Sequence, residues 1–161
     1  YYDKDVKATF INDETNTVEK EGTLLIKDLK VGDAAQLTWA LGADVRATEN
    51  LKFDATFRYA DNLYSGFDPA KNLDNNTPAV KLPSFGLLDL GFTLSTKTNV
   101  GKSLSFRFNV NNVLDETYIS DMRTNDAADA NEANNWNGIN KNNQVYFGFG
   151  RTWNASISYK F

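Results

Sequence analysis

The sequence predicts an all-β fold, an antiparallel up-and-down meander that forms a segment of a transmembrane β-barrel. Three observations lead to this prediction. Five stretches alternate apolar and polar residues with a period of two, which gives each strand one apolar and one polar face. The connections between them alternate between long and short. No stretch has a convincing helical period of 3.6, and none approaches the length of an apolar membrane helix.

The C-terminal residues show the clearest alternation. Every second residue of the stretch 153–161 is apolar or aromatic: Trp153, Ala155, Ile157, Tyr159 and Phe161. We predict that this strand starts near Val145 and that Arg151 lies near a membrane interface, since a tilted membrane strand needs roughly 9–11 residues to cross the hydrocarbon. A terminal strand of this pattern resembles the sorting signal that the barrel assembly machinery reads in bacterial outer-membrane barrels.

Four upstream stretches repeat the pattern. Their apolar positions are Leu37, Trp39, Leu41, Ala43 and Val45; Leu51, Phe53, Ala55, Phe57 and Tyr59; Leu88, Leu90, Phe92 and Leu94; and Leu104, Phe106, Phe108 and Val110. The intervening positions hold charged residues that we predict to face the lumen, bridging to a plug or to each other, with the lining of a solute path as the alternative: Asp44, Arg46, Asp54, Arg58, Asp89 and Arg107. Aromatic residues near the strand ends predict two girdles, with Trp39, Tyr59 and Phe147 at one and Phe53, Tyr159 and Phe161 at the other.

The lengths of the connections predict which side of the membrane each one occupies. Outer-membrane barrels have short periplasmic turns and longer extracellular loops. We therefore place the long connections 62–83 and 120–144 outside the cell and the short connections 47–50 and 97–102 in the periplasm. Residues 5–27 are predicted to form an extracellular hairpin around a polar turn at 12–17, with one more membrane-spanning pair as the alternative.

Composition excludes several classes of function. The chain has neither cysteine nor histidine, so disulfides, thiolate metal sites and the commonest general base are all missing. A pI of about 4.8 and the lack of a basic patch argue against nucleic-acid binding. The acidic run 115–134 predicts a solvated loop, with a divalent cation site as the alternative. We expect no enzyme activity, no cofactor and no metal.

The number of strands predicts that the chain is a fragment. Five or six strands cannot close a membrane barrel, because the smallest outer-membrane barrels have about eight. Free strand edges are also costly in lipid, where each unpaired backbone group costs several kcal/mol. The chain is therefore expected to be the last five to six strands of a larger barrel.

Three segments resemble the barrel of TonB-dependent outer-membrane receptors. Residues 108–119, Phe-Asn-Val-Asn-Asn-Val-Leu-Asp-Glu-Thr-Tyr-Ile, resemble the family's penultimate-strand motif. Residues 150–153, which lead into the terminal strand, and residues 81–85, which lead into the strand 88–94, also resemble the family. The resemblance implies about 22 strands around a plug domain, with the plug and the TonB-contacting segment on the missing N-terminal side. It implies the cell outer membrane of a Gram-negative bacterium, with the bilayer, the barrel assembly machinery, TonB and a surface lipoprotein as partners.

The function expected from this resemblance is active uptake of a scarce nutrient: a siderophore, cobalamin, a saccharide or a peptide. Aromatic residues in the long connections are candidate ligand contacts: Tyr64, Phe67 and Trp136. Two alternatives remain open at this stage. One is a passive or structural outer-membrane barrel, or an assembly substrate that presents its C-terminal strand to the assembly machinery. The other is a soluble ligand-binding β-barrel, in which the apolar faces would point inward.

Overall fold

The computed structural model describes residues 1–97 and 103–161. Most of the short connection predicted at 97–102, including Val100, lies outside the described residues. In the described part the protein is all-β with antiparallel pairing in every sheet. No helix among these residues is long and apolar enough to cross a membrane.

The strands follow in chain order. They are β1 (Val6–Ile11), β2 (Val18–Leu24), β3 (Leu37–Arg46), β4 (Leu51–Asp61), β5 (Phe85–Lys97), β6 (Ser103–Asn111), β7 (Ile119–Met122), β8 (Asn135–Trp136), β9 (Ile139–Asn140), β10 (Val145–Phe147) and β11 (Thr152–Lys160). A four-residue helix, α1 (Pro69–Asn72), follows β4, and a single 3-10 turn, Glu132–Asn134, precedes β8.

The chain divides into two compact units. The first, the loop unit, comprises Tyr1–Gln36, Asn62–Pro83 and Ile119–Phe147. The second, the sheet unit, comprises Leu37–Asp61, Ser84–Tyr118 and Gly148–Phe161.

The sheet unit contains one five-stranded antiparallel sheet in the order β11-β6-β5-β4-β3. All five predicted alternating stretches therefore contain strands, and each strand pairs with the next in the order of the predicted meander. The register places apolar positions opposite apolar positions: Phe92 pairs with Phe53 on one side and Phe108 on the other, and Ala155 lies opposite Phe108. Since side chains alternate between faces, this register gathers most of the large apolar residues of the five strands on one face, while Phe85 and Leu87 of β5 lie on the other.

The prediction of one continuous last strand from Val145 to Phe161 is wrong. The chain is interrupted between β10 and β11, because residues 148–151 bond elsewhere: the Gly148 amide donates to the Tyr118 carbonyl at 2.9 Å and the Arg151 amide donates to Asp115 Oδ1 at 2.9 Å. Glycines weaken a strand, and two of them flank Phe149. Gly148 and Gly150 are thus not strand residues, and Phe147, predicted for an aromatic girdle, lies on the short strand β10.

The loop unit confirms the predicted hairpin, with β1 paired to β2. Its turn is held by Asn12, whose side-chain oxygen accepts the amides of Glu14 and Thr15, each at 3.0 Å. The core of this unit consists of Ile26, Leu29, Leu63, Leu73, Leu82, Ile119, Met122 and Ile139. The predicted loop 120–144 contains most of β7 and the tight hairpin β8–β9, which turns at Asn137 and Gly138 with φ of 46° and 82°.

Candidate functional site

The apolar face of the sheet is exposed. Leu41, Trp153 and Ile157 are 70%, 71% and 74% exposed, and the other large apolar residues of the edge strands are also largely uncovered. A row of rings crosses the sheet: Phe53 to Phe92 at 6.4 Å, Phe92 to Phe108 at 5.8 Å and Phe108 to Trp153 at 6.0 Å between centroids.

Charged side chains are segregated from this face. Among the described strand residues that share the apolar positions, only Asp61, in the last pair of β3 and β4, is charged. Soluble monomers rarely expose an apolar patch of this continuity. Such a surface needs an apolar covering.

The opposite face carries a bidentate ion pair that spans three strands. Arg107 on β6 donates to both carboxylate oxygens of Asp54 on β4, at 2.9 and 3.0 Å, and to Thr93 Oγ1 at 3.1 Å. The strand between them holds Gly91, where a Cβ would lie 2.6 Å from Asp54 Oδ2 and 2.7 Å from Asn109 Oδ1. The missing side chain at this position is therefore what lets the two charges meet across β5.

Two more ion pairs lie on the same polar face. Arg58 contacts Asp89 at 2.7 Å, and Lys52 contacts Asp44 at 2.8 Å. The lumen-facing charges predicted from the sequence thus share one face, and three of the predicted carboxylates pair with cations of that face. Because these side chains are partly exposed, each pair contributes on the order of 0–1 kcal/mol to stability. Their main effect is to keep charge on one side of the sheet.

The turn after β6 connects three strands through Asn112. This residue is 3% exposed and has a φ of 50°, a conformation that asparagine tolerates better than most residues. Its side-chain oxygen accepts the Glu116 amide at 2.9 Å, and its side-chain nitrogen donates to the carbonyls of Glu116 at 2.9 Å and Phe149 at 3.3 Å. Its backbone amide donates to Asp89 at 2.9 Å. The segment that carries the family resemblance is therefore a structural junction.

Tyr118 completes this junction. Its ring stacks on Phe85, with centroids 4.2 Å apart, and lies directly against Gly148. A cavity of about 430 Å³ opens beside it, with Arg58, Asn111, Tyr118 and Phe149 among its lining residues. Polar and aromatic groups thus meet at one end of the polar face.

We predict that Gly148→Ala destabilises the sheet unit, whereas Gly150→Ala does not. A Cβ on Gly148 would overlap the Tyr118 ring, but a Cβ on Gly150 would lie 3.4 Å from Asp115 Oδ1, near ordinary van der Waals contact. Overpacking of this kind costs about 1–3 kcal/mol. Urea unfolding would give the midpoints of both variants. Equal midpoints for the two would show that Tyr118 moves aside without cost.

The three predicted ligand contacts occupy different surroundings within the loop unit. Phe67 packs edge-on against Tyr2 at 5.3 Å, and the Lys30 ammonium lies 5.9 Å from the centre of the Tyr64 ring. Trp136 instead meets Phe147 at right angles, with ring centroids 5.3 Å apart, and lines an apolar cavity of about 260 Å³. The ring contacts of the described residues do not bring the three together.

The residues predicted to form an assembly signal lie on or just beyond β11. Trp153, Ala155, Ile157 and Tyr159 share the apolar face of this strand, and Phe161 follows its end, 6.2 Å from Tyr159 between ring centroids. In the acidic run, Asp126 contacts Lys71 and Asp115 bonds to the Arg151 amide. The described residues contain no group of three or more acidic side chains placed to hold a metal ion.

A pair of carboxylates in the loop unit was not predicted. A hydrogen bond to the Asp121 carboxyl, together with slight desolvation and the charge of Asp121, raises the pKa of the exposed Asp33 above its usual value. Asp33 has a φ of 64°, so the backbone holds it in a left-handed conformation beside its partner. Asp33 and Asp121 are far apart in sequence, and no local sequence pattern indicates that they meet.

The stability of the loop unit is therefore expected to depend on this pair. A carboxyl group whose pKa is raised in the folded state stabilises the fold while it is protonated. This stabilisation is complete below the usual aspartate pKa of about 3.9, and it is lost as the pH rises through the raised pKa of the folded state. Asp33→Asn keeps the shape and the left-handed backbone without the charge. We expect this variant to match the parent near pH 3 and to melt at a higher temperature near pH 7. If the melting temperatures of the variant and the parent differed by the same amount near pH 3 and near pH 7, the Asp33–Asp121 pair would not be the cause of the pH dependence.

Comparison of the chain with protein-family models, curated proteins and solved structures gives no match. Function is therefore inferred from the residues themselves: the two-faced sheet, the Asn112 junction and the aromatic cavity of the loop unit.

Proposed function

We propose that the sheet unit is part of the barrel wall of a TonB-dependent outer-membrane receptor that takes up a scarce nutrient. The observation that carries this proposal is the segregation of charge. Nearly every charged residue of the five strands falls on one face, and the other face presents exposed leucine, isoleucine, phenylalanine and tryptophan. A lipid-facing and a lumen-facing surface require this distribution.

Lipid is the covering that fits the apolar face. Each large apolar side chain moved out of water contributes about 1.5–3 kcal/mol, so an uncovered row from Trp39 to Trp153 would be costly in water. A soluble barrel would bury these residues in its interior, against apolar side chains from facing strands. A hydrocarbon layer covers these side chains without any partner residue, and it accommodates the mixture of aromatic rings and aliphatic chains on this face.

The edges of the sheet support membership of a larger barrel. Within the described residues, β3 pairs only with β4 and β11 pairs only with β6. Each therefore offers one row of backbone groups to a further strand. In lipid each such group costs several kcal/mol if unpaired, so additional strands must complete the sheet.

Active uptake is proposed from the segments that resemble the family. The segment 108–119, which resembles the family's penultimate-strand motif, contains Asn112 and Tyr118, and both residues bond near the ends of neighbouring strands. The solute would be held first by the long connections and released inward when TonB, energised from the inner membrane, acts on the plug. The candidate solutes are siderophores, cobalamin, saccharides and peptides.

Single-cysteine labelling in intact cells tests the membrane proposal, because the chain has no native cysteine. An impermeant maleimide is expected to label Ala128→Cys, in a long connection, but not Glu49→Cys, in the short turn 47–50, until the outer membrane is opened. Phe108→Cys should stay protected in both states. Labelling of both Ala128→Cys and Glu49→Cys in sealed cells would exclude a spanning barrel.

A second measurement separates active uptake from a passive barrel. The coding sequence on the N-terminal side is expected to encode a plug domain, and growth on the nutrient is expected to require TonB. A protein that labels as a membrane barrel but has no plug and no dependence on TonB would be a passive or structural barrel.

A further inference from the structure

The loop unit contains an apolar cavity between two short ribbons, β7–β10 and β8–β9. Its volume is about 260 Å³, and its walls include Ile119, Trp136, Ile139, Val145 and Phe147. The two rings form a corner, with an interplanar angle of 90°. Phe147 is 52% exposed at the rim, whereas Ile119 and Ile139 are 1% and 4% exposed at the base. The cavity is therefore open on one side and closed by branched aliphatic chains on the other.

The polar residues at the cavity already have partners. Asn143 bonds to Thr124 and to both backbone groups of Asp126, each at 2.8 Å. Asn140 bonds to the Ala127 carbonyl at 3.0 Å and the Asn142 amide at 2.9 Å, and the Lys141 ammonium bonds to the Ala133 carbonyl at 2.7 Å. A ligand that depends on several hydrogen bonds finds few uncommitted groups here, which disfavours a saccharide.

The ribbons also offer backbone for pairing. In the described residues each of β8, β9 and β10 has a single strand neighbour, so each has one edge without a strand beside it. An extended peptide that adds to such an edge gains main-chain hydrogen bonds and places alternate side chains over one face. The cavity lies on the face that Val145 and Phe147 share.

Charge narrows the choice of peptide. Within Ile119–Phe147 there are four carboxylates, Asp121, Asp126, Asp129 and Glu132, against two cations, Arg123 and Lys141. Among the described residues that line the cavity only Lys141 is charged, and its ammonium is bonded to the Ala133 carbonyl. The net negative charge of the whole segment therefore favours a neutral or basic peptide over an acidic one.

We propose that this cavity binds one large apolar side chain of an extended neutral or basic peptide. The inference rests on the proposed function and narrows its solute to peptides. The peptide backbone would lie along a free ribbon edge, with its apolar side chain in the corner between Trp136 and Phe147.

The test uses the full-length protein in lipid nanodiscs and the peptide acetyl-Lys-Gly-Phe-Gly-Lys-amide with a fluorinated phenyl ring, followed by fluorine NMR. Phe147→Ala removes a wall and is expected to weaken binding by at least about tenfold, the effect of losing an aromatic anchor. Val145→Phe fills the cavity and is expected to abolish binding. Tyr146→Ala is the matched control, because Tyr146 faces Arg123 at 5.3 Å and does not line the cavity; its affinity should stay within about twofold of the parent.

Competition with unlabelled peptides completes the experiment. A peptide with serine in place of phenylalanine should compete poorly, and one with glutamate in place of both lysines should compete less well than the parent. Absence of binding, binding unchanged by Val145→Phe, or equal competition by the serine peptide or by maltotriose would each overturn the inference. The labelling pattern keeps the two proposals separate: no binding by a protein that labels as a barrel overturns only the peptide site, whereas binding by a protein labelled at both Ala128→Cys and Glu49→Cys overturns only the transport function.

Discussion

Phe108→Arg is expected to destabilise the protein by about 2–4 kcal/mol if the apolar face lies in lipid as proposed, because that is the cost of placing a cation near the bilayer midplane on the lipid face of a barrel. Phe108 lies near the middle of β6, with Phe92 on one neighbouring strand and Ala155 on the other. It also stacks with Trp153 at 6.0 Å. The change therefore removes two ring contacts, with Phe92 and Trp153, and puts a charge in the middle of the apolar face. Urea titration of the full-length protein in lipid vesicles would give the difference in free energy.

Asn109→Arg is the matched control. Its side chain lies on the polar face, bonded to Asn154 at 2.8 Å and close to Gly91 and the Asp54 carboxylate. An added cation there meets water and an acidic neighbour, so the loss is expected to stay below about 1 kcal/mol. If Phe108→Arg and Asn109→Arg lowered the free energy of unfolding equally, the proposal that one face of the sheet meets lipid and the other meets water would be wrong.

Asn112→Ala is expected to cost about 2–4 kcal/mol in the sheet unit, from lost hydrogen bonds and an unfavourable backbone. The change removes the three side-chain hydrogen bonds to Glu116 and Phe149 and leaves the Glu116 amide without its acceptor. It also places alanine at a φ of 50°, where a Cβ is disfavoured. The same vesicle titration would report the loss.

Two further variants separate these contributions. Asn112→Gly restores the freedom of the backbone but not the hydrogen bonds, so it should fall between Asn112→Ala and the parent. Asn111→Ala removes only one bond, to Thr152 at 3.2 Å, and should cost less than about 1 kcal/mol. If Asn111→Ala lowered the free energy of unfolding as much as Asn112→Ala, the specific hydrogen bonds of Asn112 would not explain the stability of the junction.

The strands of the sheet could be predicted because a period of two is a local property. Leucine, phenylalanine and tryptophan at alternate positions of β3, β4, β5, β6 and β11 define both the strands and their faces. The hairpin β1–β2 was predicted from a polar turn between two extended arms in the same way. These features need only neighbouring residues and the geometry of a strand.

The parts that were missed depend on residues distant in sequence. The break between β10 and β11 arises because the Gly148 amide bonds to the carbonyl of Tyr118, which lies much earlier in the sequence. Gly91 matters because Asp54 and Arg107 approach from two other strands. A glycine inside an alternating strand is a signal of close approach, and it could have drawn attention to Gly91.

The candidate ligand contacts could be predicted only in part from the sequence. Trp136 was selected as an aromatic residue in a long connection, and it lines a cavity. Phe147 completes the cavity but was assigned to a girdle, because the pattern of alternation continued through it. Tyr64 and Phe67 were selected by the same rule and lie against Lys30 and Tyr2. Residue type alone does not distinguish an aromatic that lines a cavity from one that packs on a neighbour.

The turn between β3 and β4 limits how this protein can change during evolution. Thr48 accepts the amides of Asn50 at 3.2 Å and Leu51 at 3.0 Å, and the Ala47 amide donates to the Leu51 carbonyl at 2.9 Å. Because this turn holds Arg46 opposite Lys52, inserting one codon into β3 would move the residues before the insertion to the opposite face of the sheet, whereas inserting two would return them to their own face. Insertions and deletions in the strands should therefore survive in even numbers, while the long connections should accept any length.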